Sequence, residues 1–293
     1  MKLIVKLVVF SGIVFLTIYF PFNFFSKKYV DPFYKKFTLN KSNNIIFGSS
    51  RAAQGLNPEA LFNENGINFS FTHSISPYGK AYFDAIKKIT KTEKGIVFLE
   101  VCPMIFMEDK KVMAKNLNYR EENLILGNMF MYGLDPNLEY FLKNYEKPLY
   151  QIGNNKNNNI SLNNKGWLTV KDTSAVSYIN NLKHNEFYFN ETFKRMSFCI
   201  YRYNWFCKTI EWLKKNNKTV FIIRLPISKE LLKIENSVFG DFDVLIENSA
   251  KYFNIKYLNF TSDKNLRTHD GNHLNYRSAT EISKKIKTEH LDK

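Results

Sequence analysis

Residues Gly95–Val101 read Gly-Ile-Val-Phe-Leu-Glu-Val, a near-continuous apolar run of strand length. A strand with one wet face alternates apolar and polar side chains. A run that is apolar on both faces belongs in the middle of a parallel sheet that is covered on both sides. The flanking segments supply the cover. Ile45–Phe47 is a short apolar strand, and Asn57-Pro58-Glu59 opens a helix: Asn at the N-cap, Pro at the first helical position, an acid in the first turn, with Gly66 just past its end. Ile67–Phe71 is a second strand. From Pro77 a helix follows, with Tyr78, Ala81, Tyr82, Ala85, Ile86 and Ile89 at i, i+3, i+4 spacing. Further along, the pattern predicts a long amphipathic helix over roughly Glu191–Asn216, a strand at Thr219–Leu225, a helix near Val244–Phe253 and a last strand at Lys256–Phe260. A final helix starts after Asn275 and buries Ala279, Ile282 and Ile286. This alternation predicts an α/β fold, a three-layer α/β/α sandwich around a mainly parallel, doubly wound sheet.

Two regions depart from the rhythm. Residues from about 108 to 190 read as an insertion or lid with local helices, one of them around Leu138–Asn144. Within it, Asn154–Asn164 is almost all asparagine, with lysine and a few apolar residues. At the N-terminus, Leu7–Phe25 runs nineteen residues without a charge, between Lys2 and Lys6 on one side and Lys27 and Lys28 on the other. That length suits one bilayer crossing. The first alanine is Ala52, so a small-residue cleavage site is lacking, and residues 1–29 read as an uncleaved signal anchor before a body at 30–293. Two lysines precede the span and four follow soon after (Lys27, Lys28, Lys35, Lys36), a count that keeps the body inside.

The formal net charge is +15, nearly all of the excess from lysine. Such a chain favours anionic lipid, anionic glycan or nucleic acid. It has no RNP motif, zinc finger or Arg-rich stripe, so nucleic acid is not the expected partner, and a solvated lysine-rich surface is the plainer reading. Three cysteines are present. Cys199 and Cys207, eight residues apart on one expected helix, stand about 12 Å apart along its axis, too far to bridge. With Cys102 they form neither a disulfide framework nor a metal-ligand spacing, and no cofactor is expected.

Chemistry-bearing residues gather at two distant points. Asn43–Arg51 reads as a buried strand that breaks into Gly48-Ser49-Ser50. Asp270-Gly271-Asn272-His273-Leu274-Asn275 sets an acid and an imidazole three residues apart before the last helix. In a parallel sheet, ligands bind at the carboxyl ends of the strands, where both segments fall. A serine hydroxyl needs a base to take its proton as it attacks, and the base needs a carboxylate to fix its tautomer. Ser50, His273 and Asp270 can fill these roles. The oxyanion needs donors; the Ser50 N–H is the first candidate and the loop Ser74–Gly79 another source. Ser49 is an alternative hydroxyl. Arg51 either holds the turn or meets an anionic substrate group. His73 and His269 read as lining residues. Arg224 ends a strand on the same edge, either in a surface salt bridge or reaching the pocket. Tyr201, Tyr203, Trp205 and Phe206 sit at helical spacing, as core or as a sugar-stacking surface. The plain alternative is a simple Asp270-Gly271 turn with Asn275 capping the helix.

Phe47-Gly48-Ser49-Ser50-Arg51 together with Asp270-x-x-His273 resembles the SGNH (GDSL-type) hydrolase superfamily, in particular its membrane-anchored bacterial branch, over about residues 42–103 and 219–288. The resemblance implies a flavodoxin-like sandwich with Ser50 as nucleophile, Asp270 as triad acid and His273 as base. From the residues themselves, the oxyanion or substrate candidates are Ser49, Arg51, Ser74 and Ser76. Two of the family's blocks are altered. Thr72-His73-Ser74-Ile75-Ser76 lacks the oxyanion glycine, and Glu100-Val101-Cys102-Pro103 replaces the usual Gly-x-Asn-Asp. The resemblance further implies O-acyl (O-acetyl) ester transfer or hydrolysis on cell-envelope carbohydrate at the bacterial cytoplasmic membrane, with the catalytic body extracytoplasmic and a multi-pass membrane acyltransferase as partner. A non-catalytic, membrane-anchored accessory or glycan-binding protein on the same fold is the alternative.

Overall fold

The computed structural model describes residues 2–28, 33–115, 117–144, 160–170 and 174–292. In chain order, helix α1 (Lys2–Lys28) and a single turn α2 (Tyr34–Phe37) lead to β1 (Asn44–Phe47), α3 (Ser50–Gly55), α4 (Pro58–Phe62), β2 (Gly66–Asn68), α5 (Lys80–Ile89) and β3 (Gly95–Glu100). Short elements follow: β4 (Met107–Asp109), α6 (Lys110–Lys115), α7 (Leu117–Asn123), α8 (Ile125–Asn128), α9 (Leu138–Asn144), β5 (Ile160–Leu162) and β6 (Leu168–Val170). Then come α10 (Ala175–Arg195), β7 (Met196–Phe198), α11 (Ile200–Lys215), β8 (Lys218–Arg224), α12 (Lys229–Val238), α13 (Phe242–Phe253), β9 (Lys256–Asn259) and α14 (Tyr276–Ile286).

The fold is α/β. Five strands make one sheet in the order β2-β1-β3-β8-β9, and every neighbouring pair is parallel. The apolar run singled out in the sequence is the central strand β3, with Ile45 opposite Val97 on one side and Val220 opposite it on the other. Its side chains alternate between two buried clusters. Ile45, Phe47, Val97, Leu99, Val220 and Ile222 belong to the larger cluster, and Ile46, Phe98, Phe221 and Ile223 to the smaller. Both faces are therefore dry, as the absence of polar alternation requires.

The expected helices at Asn57 and Asn275 start where their caps place them. Asn57 Oδ1 accepts from Glu59 N–H, and Asn275 Oδ1 accepts from Ser278 N–H at 2.9 Å. Three boundaries differ. The helix expected from Pro77 begins only at Lys80, where the Glu121 carboxylate accepts the Ala81 N–H at 2.7 Å. The assigned ladder of β2 covers Gly66–Asn68 rather than Ile67–Phe71; past it, Phe69 N–H and Phe71 N–H still donate to Ile46 O and Gly48 O, while the Asn68 side-chain amide donates to Ala52 O and Leu56 O. The single helix expected over Glu191–Asn216 is two helices separated by β7. Met196–Phe198 pairs antiparallel with Met107–Asp109, and Cys199 N–H donates to Phe106 O at 2.9 Å. Buried Arg202 closes that junction on Glu108 (2.7 Å) and Glu121. The apolar period runs through the break, so periodicity alone misses it. Helix α12, capped by Ser228 Oγ, was also missed.

Of the asparagine-rich stretch, residues 154–159 lie outside the described residues, while 160–162 pair with β6 as an antiparallel ribbon. Helix α1 is long and apolar enough to cross a membrane: the window Lys2–Pro21 has mean hydropathy 2.4 and none of it is buried.

Candidate active site

At the carboxyl end of β1 the chain must turn sharply beside β3. Gly48 makes that turn at φ +153°, and a Cβ there would lie 2.6 Å from Glu100 Cβ, so only glycine fits without displacement. The turn is bonded on every side. Gly48 N–H donates to Tyr82 Oη at 2.9 Å, and Gly48 O accepts from the Ser76 hydroxyl (2.8 Å) and Phe71 N–H (3.2 Å). Ser49 N–H donates to Glu100 Oε2 at 2.7 Å, and Ser49 Oγ accepts from Arg51 N–H, capping α3. Ser50, partly exposed, is the first residue of that helix.

The second segment is the loop between β9 and α14. His269 N–H donates to His273 O, Asn275 N–H donates to Arg267 O, and Thr268 bridges Leu274. Gly271 turns at φ +86°, and a Cβ there would meet Leu182 of α10 at 2.5 Å. Asn185 Nδ2 donates to Asp270 O (2.9 Å) and Ser228 N–H to Gly271 O (2.7 Å), so α10 and the start of α12 hold the loop in place.

These anchors bring Ser50, His273 and Asp270 into one line. Ser50 Oγ lies 2.9 Å from His273 Nε2, and His273 Nδ1 lies 2.7 Å from Asp270 Oδ2. The other Asp270 oxygen accepts the His273 N–H (2.7 Å) and the Asn272 N–H (2.9 Å). Burial alone would raise the pKa of Asp270. The facing His273, by charge and hydrogen bond, outweighs it and holds the carboxyl well below its ordinary range. An ionised Asp270 fixes the Nδ1–H tautomer, which leaves Nε2 as acceptor for the Ser50 hydroxyl. Asn272 Nδ2 also lies 3.2 Å from Nε2.

A buried ion network stands behind the line. Arg51 donates from Nε to Asn272 Oδ1 (2.9 Å) and from Nη2 to Glu235 Oε1 (2.6 Å), while its buried Nη1 has no hydrogen-bond partner. Glu235 Oε2 receives Arg224 (3.0 Å), which also pairs with Asp243 (2.6 Å). Arg224 is thus neither a surface bridge nor a pocket residue; it is buried behind the site. Glu235, Asn272, Asn185 and Tyr82 were missed in the sequence reading. Each is an ordinary helix or loop residue whose partner lies far along the chain, and no local signal marks it.

The four residues expected as oxyanion or substrate groups are all engaged in bonds within the protein. Ser49 caps α3, and Arg51 is buried in the ion network. The hydroxyl of Ser76 goes to Gly48 O and Thr72 O, and the hydroxyl of Ser74, on an exposed residue, pairs with Thr72. His73 faces the Tyr188 hydroxyl at 3.4 Å. Burial first, then the positive charges of Arg120 and Arg51, lower its pKa to about 4. Glu100 is fully buried. Its Oε1 has no partner, and burial raises its pKa against the pull of Arg51 and the Ser49 N–H. His269 Nε2 contacts Gln54 Oε1 at 2.9 Å, and its ring lies parallel to that of His273.

The ligand atoms of His269, Asp270 and His273 lie within 4.8 Å of one another. A metal there would displace the Asp270–His273 or His273–Ser50 bond, so the donor set suits proton transfer better than coordination. Beside His269 and Asn275 opens a cavity of about 1040 Å³ with apolar walls from Tyr178, Ile179, Ile227, Leu232 and Leu266. Another concavity, about 920 Å³, sits around Asn43, Gly66 and Lys94 at the amino ends of the strands and holds none of these groups. No family model matches this chain, and no curated protein matches it.

Proposed function

We propose that this protein is a membrane-anchored serine esterase or O-acyltransferase on a three-layer, SGNH-like sandwich, working through an acyl-Ser50 intermediate. The observation that carries the reading is the continuous hydrogen-bonded line Ser50 Oγ–His273 Nε2, His273 Nδ1–Asp270 Oδ2, at 2.9 and 2.7 Å. As Ser50 Oγ attacks the ester carbonyl, its proton passes to His273 Nε2, and Asp270 stabilises the imidazolium. The tetrahedral intermediate collapses: the carbon–oxygen bond to the leaving alcohol breaks, and His273 returns the proton to that oxygen. In the second half, water or a sugar hydroxyl gives its proton to His273 and attacks the acyl carbon, and Ser50 leaves with the proton restored. The Ser50 N–H is the oxyanion donor in this scheme, because the Ser49 N–H is taken by Glu100.

The cell-envelope carbohydrate acceptor, the multi-pass acyltransferase partner and the extracytoplasmic placement at a bacterial cytoplasmic membrane rest on the resemblance. The anchor rests on α1, which is long and apolar enough to span a bilayer. A second reading, an accessory glycan-binding protein, is favoured by Glu100 standing where an oxyanion asparagine is usual.

Brief incubation with a nitrophenyl acetate, acid quench and peptide mass analysis decides between them. The enzyme reading expects one acetyl group on the peptide carrying Ser50, absent in Ser50→Ala. An unmodified peptide together with undetectable ester turnover would leave the accessory reading in its place.

A further inference from the structure

The region between β3 and β7 carries an apolar surface that the proposed chemistry does not use. Phe130, Met131, Leu134, Leu138 and Leu142 are 73, 53, 49, 46 and 78% exposed, all within thirteen residues of chain. On α9 the division is sharp: Tyr140 and Phe141 point inward, while Leu138 and Leu142, one turn apart, point out. Singly exposed apolar residues are ordinary, but a group of this size on one short segment marks a contact surface. The loop that carries it is braced by Glu139, whose carboxylate accepts the Phe130 and Met131 N–H groups at 2.6–2.9 Å.

The position of this surface identifies its occupant. Tyr34, where the body begins after α1, packs on Tyr140 and Phe141 at ring distances of 5.2 and 5.1 Å, and its hydroxyl accepts the Asn137 N–H at 2.8 Å. Gly133 N–H donates to Phe37 O at 2.9 Å. The apolar surface therefore sits directly on the segment that follows the apolar helix. From Lys28 to Phe33 the chain can span at most about 18 Å. If α1 crosses a bilayer, this edge of the body stays within that reach of the headgroups. Lys88 and Lys143 lie 5.1 and 4.4 Å from the Phe130 ring, Lys143 paired with Glu139 at 2.7 Å and Lys88 donating to Met129 O at 2.6 Å.

We infer that Phe130, Met131, Leu134, Leu138 and Leu142 insert into the bilayer interface. The inference rests on the reading of α1 as a membrane span. Such a second contact holds the body against the bilayer in one orientation, because a single tether leaves it free to rotate. Phe33 packs against Phe71 with tilted rings (5.6 Å), and Phe71 N–H bonds to Gly48 O, so the segment after α1 is connected to the turn that presents Ser50.

The test uses the full chain in phosphatidylcholine–phosphatidylglycerol vesicles. A nitroxide is placed on a cysteine at Phe130, Leu142, Val9 or Val244, with Cys207→Ser as background and Cys102 and Cys199 left buried. Collision with oxygen, which concentrates in lipid, is compared with collision with a water-soluble nickel chelate. Labels at 130 and 142 are expected to resemble the label at 9 in the span, and the label at 244, on α13 by the opposite sheet edge, is expected to resemble water. Labels at 130 and 142 that match 244, or that are shielded from both reagents as under a second protein surface, would overturn the inference. A watery label at 9 would instead remove the span itself, and the docking with it.

Discussion

Arg51 Nε donates to Asn272 Oδ1 at 2.9 Å, joining the residue after Ser50 to the residue before His273 across 221 positions of sequence. The nucleophile's helix and the base's loop are thereby held by one planar group, whose Nη2 is fixed in turn on Glu235. Arg51→Lys keeps the charge facing Glu235 but loses the fork that serves two acceptors at fixed angles. The expected outcome is a fall of about 100-fold in kcat for a soluble ester with KM little changed, since a shift of about 1 Å in the reacting groups is enough. Steady-state kinetics on the folded variant checks this; an unchanged kcat would make Arg51 a packing residue only.

Glu100 presents a different test. Its Oε2 holds the Ser49 N–H while its Oε1 is buried without a partner, and burial raises its pKa from 4.5. A carboxyl whose folded pKa is raised stabilises the fold below its ordinary pKa, and that stability is lost as pH rises through the raised value. Glu100→Gln keeps an acceptor and cannot ionise. Relative to wild type it is expected to gain urea resistance as pH goes from about 4 to about 8. Glu100→Ala, which strands the Ser49 N–H, is expected to cost about 1–3 kcal/mol. Parallel pH trends for wild type and Glu100→Gln would mean that Glu100 ionises freely in the fold.

His73 gives the opposite slope. Its pKa falls from 6.5 in its ordinary setting to about 4 in the fold. Between those values the unfolded chain binds the extra proton, so stability drops as pH falls through that window. His73→Gln should lose less stability than wild type between about pH 7 and about pH 4.5, as read from urea midpoints. An equal drop in both proteins would place His73 in solvent.

Much of this arrangement was legible from residue order. The central strand, the caps at Asn57 and Asn275, and the apolar length of α1 each follow from local chemistry, and the structure has all three. Ser50, Asp270 and His273 were selected as types able to act together, and the structure brings them within hydrogen-bonding distance. The break between α10 and α11 was not legible, because it depends on pairing with Met107–Asp109 some ninety residues earlier. The partners of Arg51 were equally hidden: Glu235 lies on a helix whose own pattern gives no hint that its carboxylate is buried between two arginines. Long-range polar pairing leaves no period in a sequence.

The central claim is an activated serine, and fluorophosphonate labelling of the full chain in detergent measures it most directly. Wild-type protein is expected to label at Ser50, with labelling abolished in Ser50→Ala, kept in Ser49→Ala and reduced by at least about 1000-fold in rate in His273→Ala. Folded wild-type protein that does not label, or Ser50→Ala that labels as well as wild type, would contradict the account.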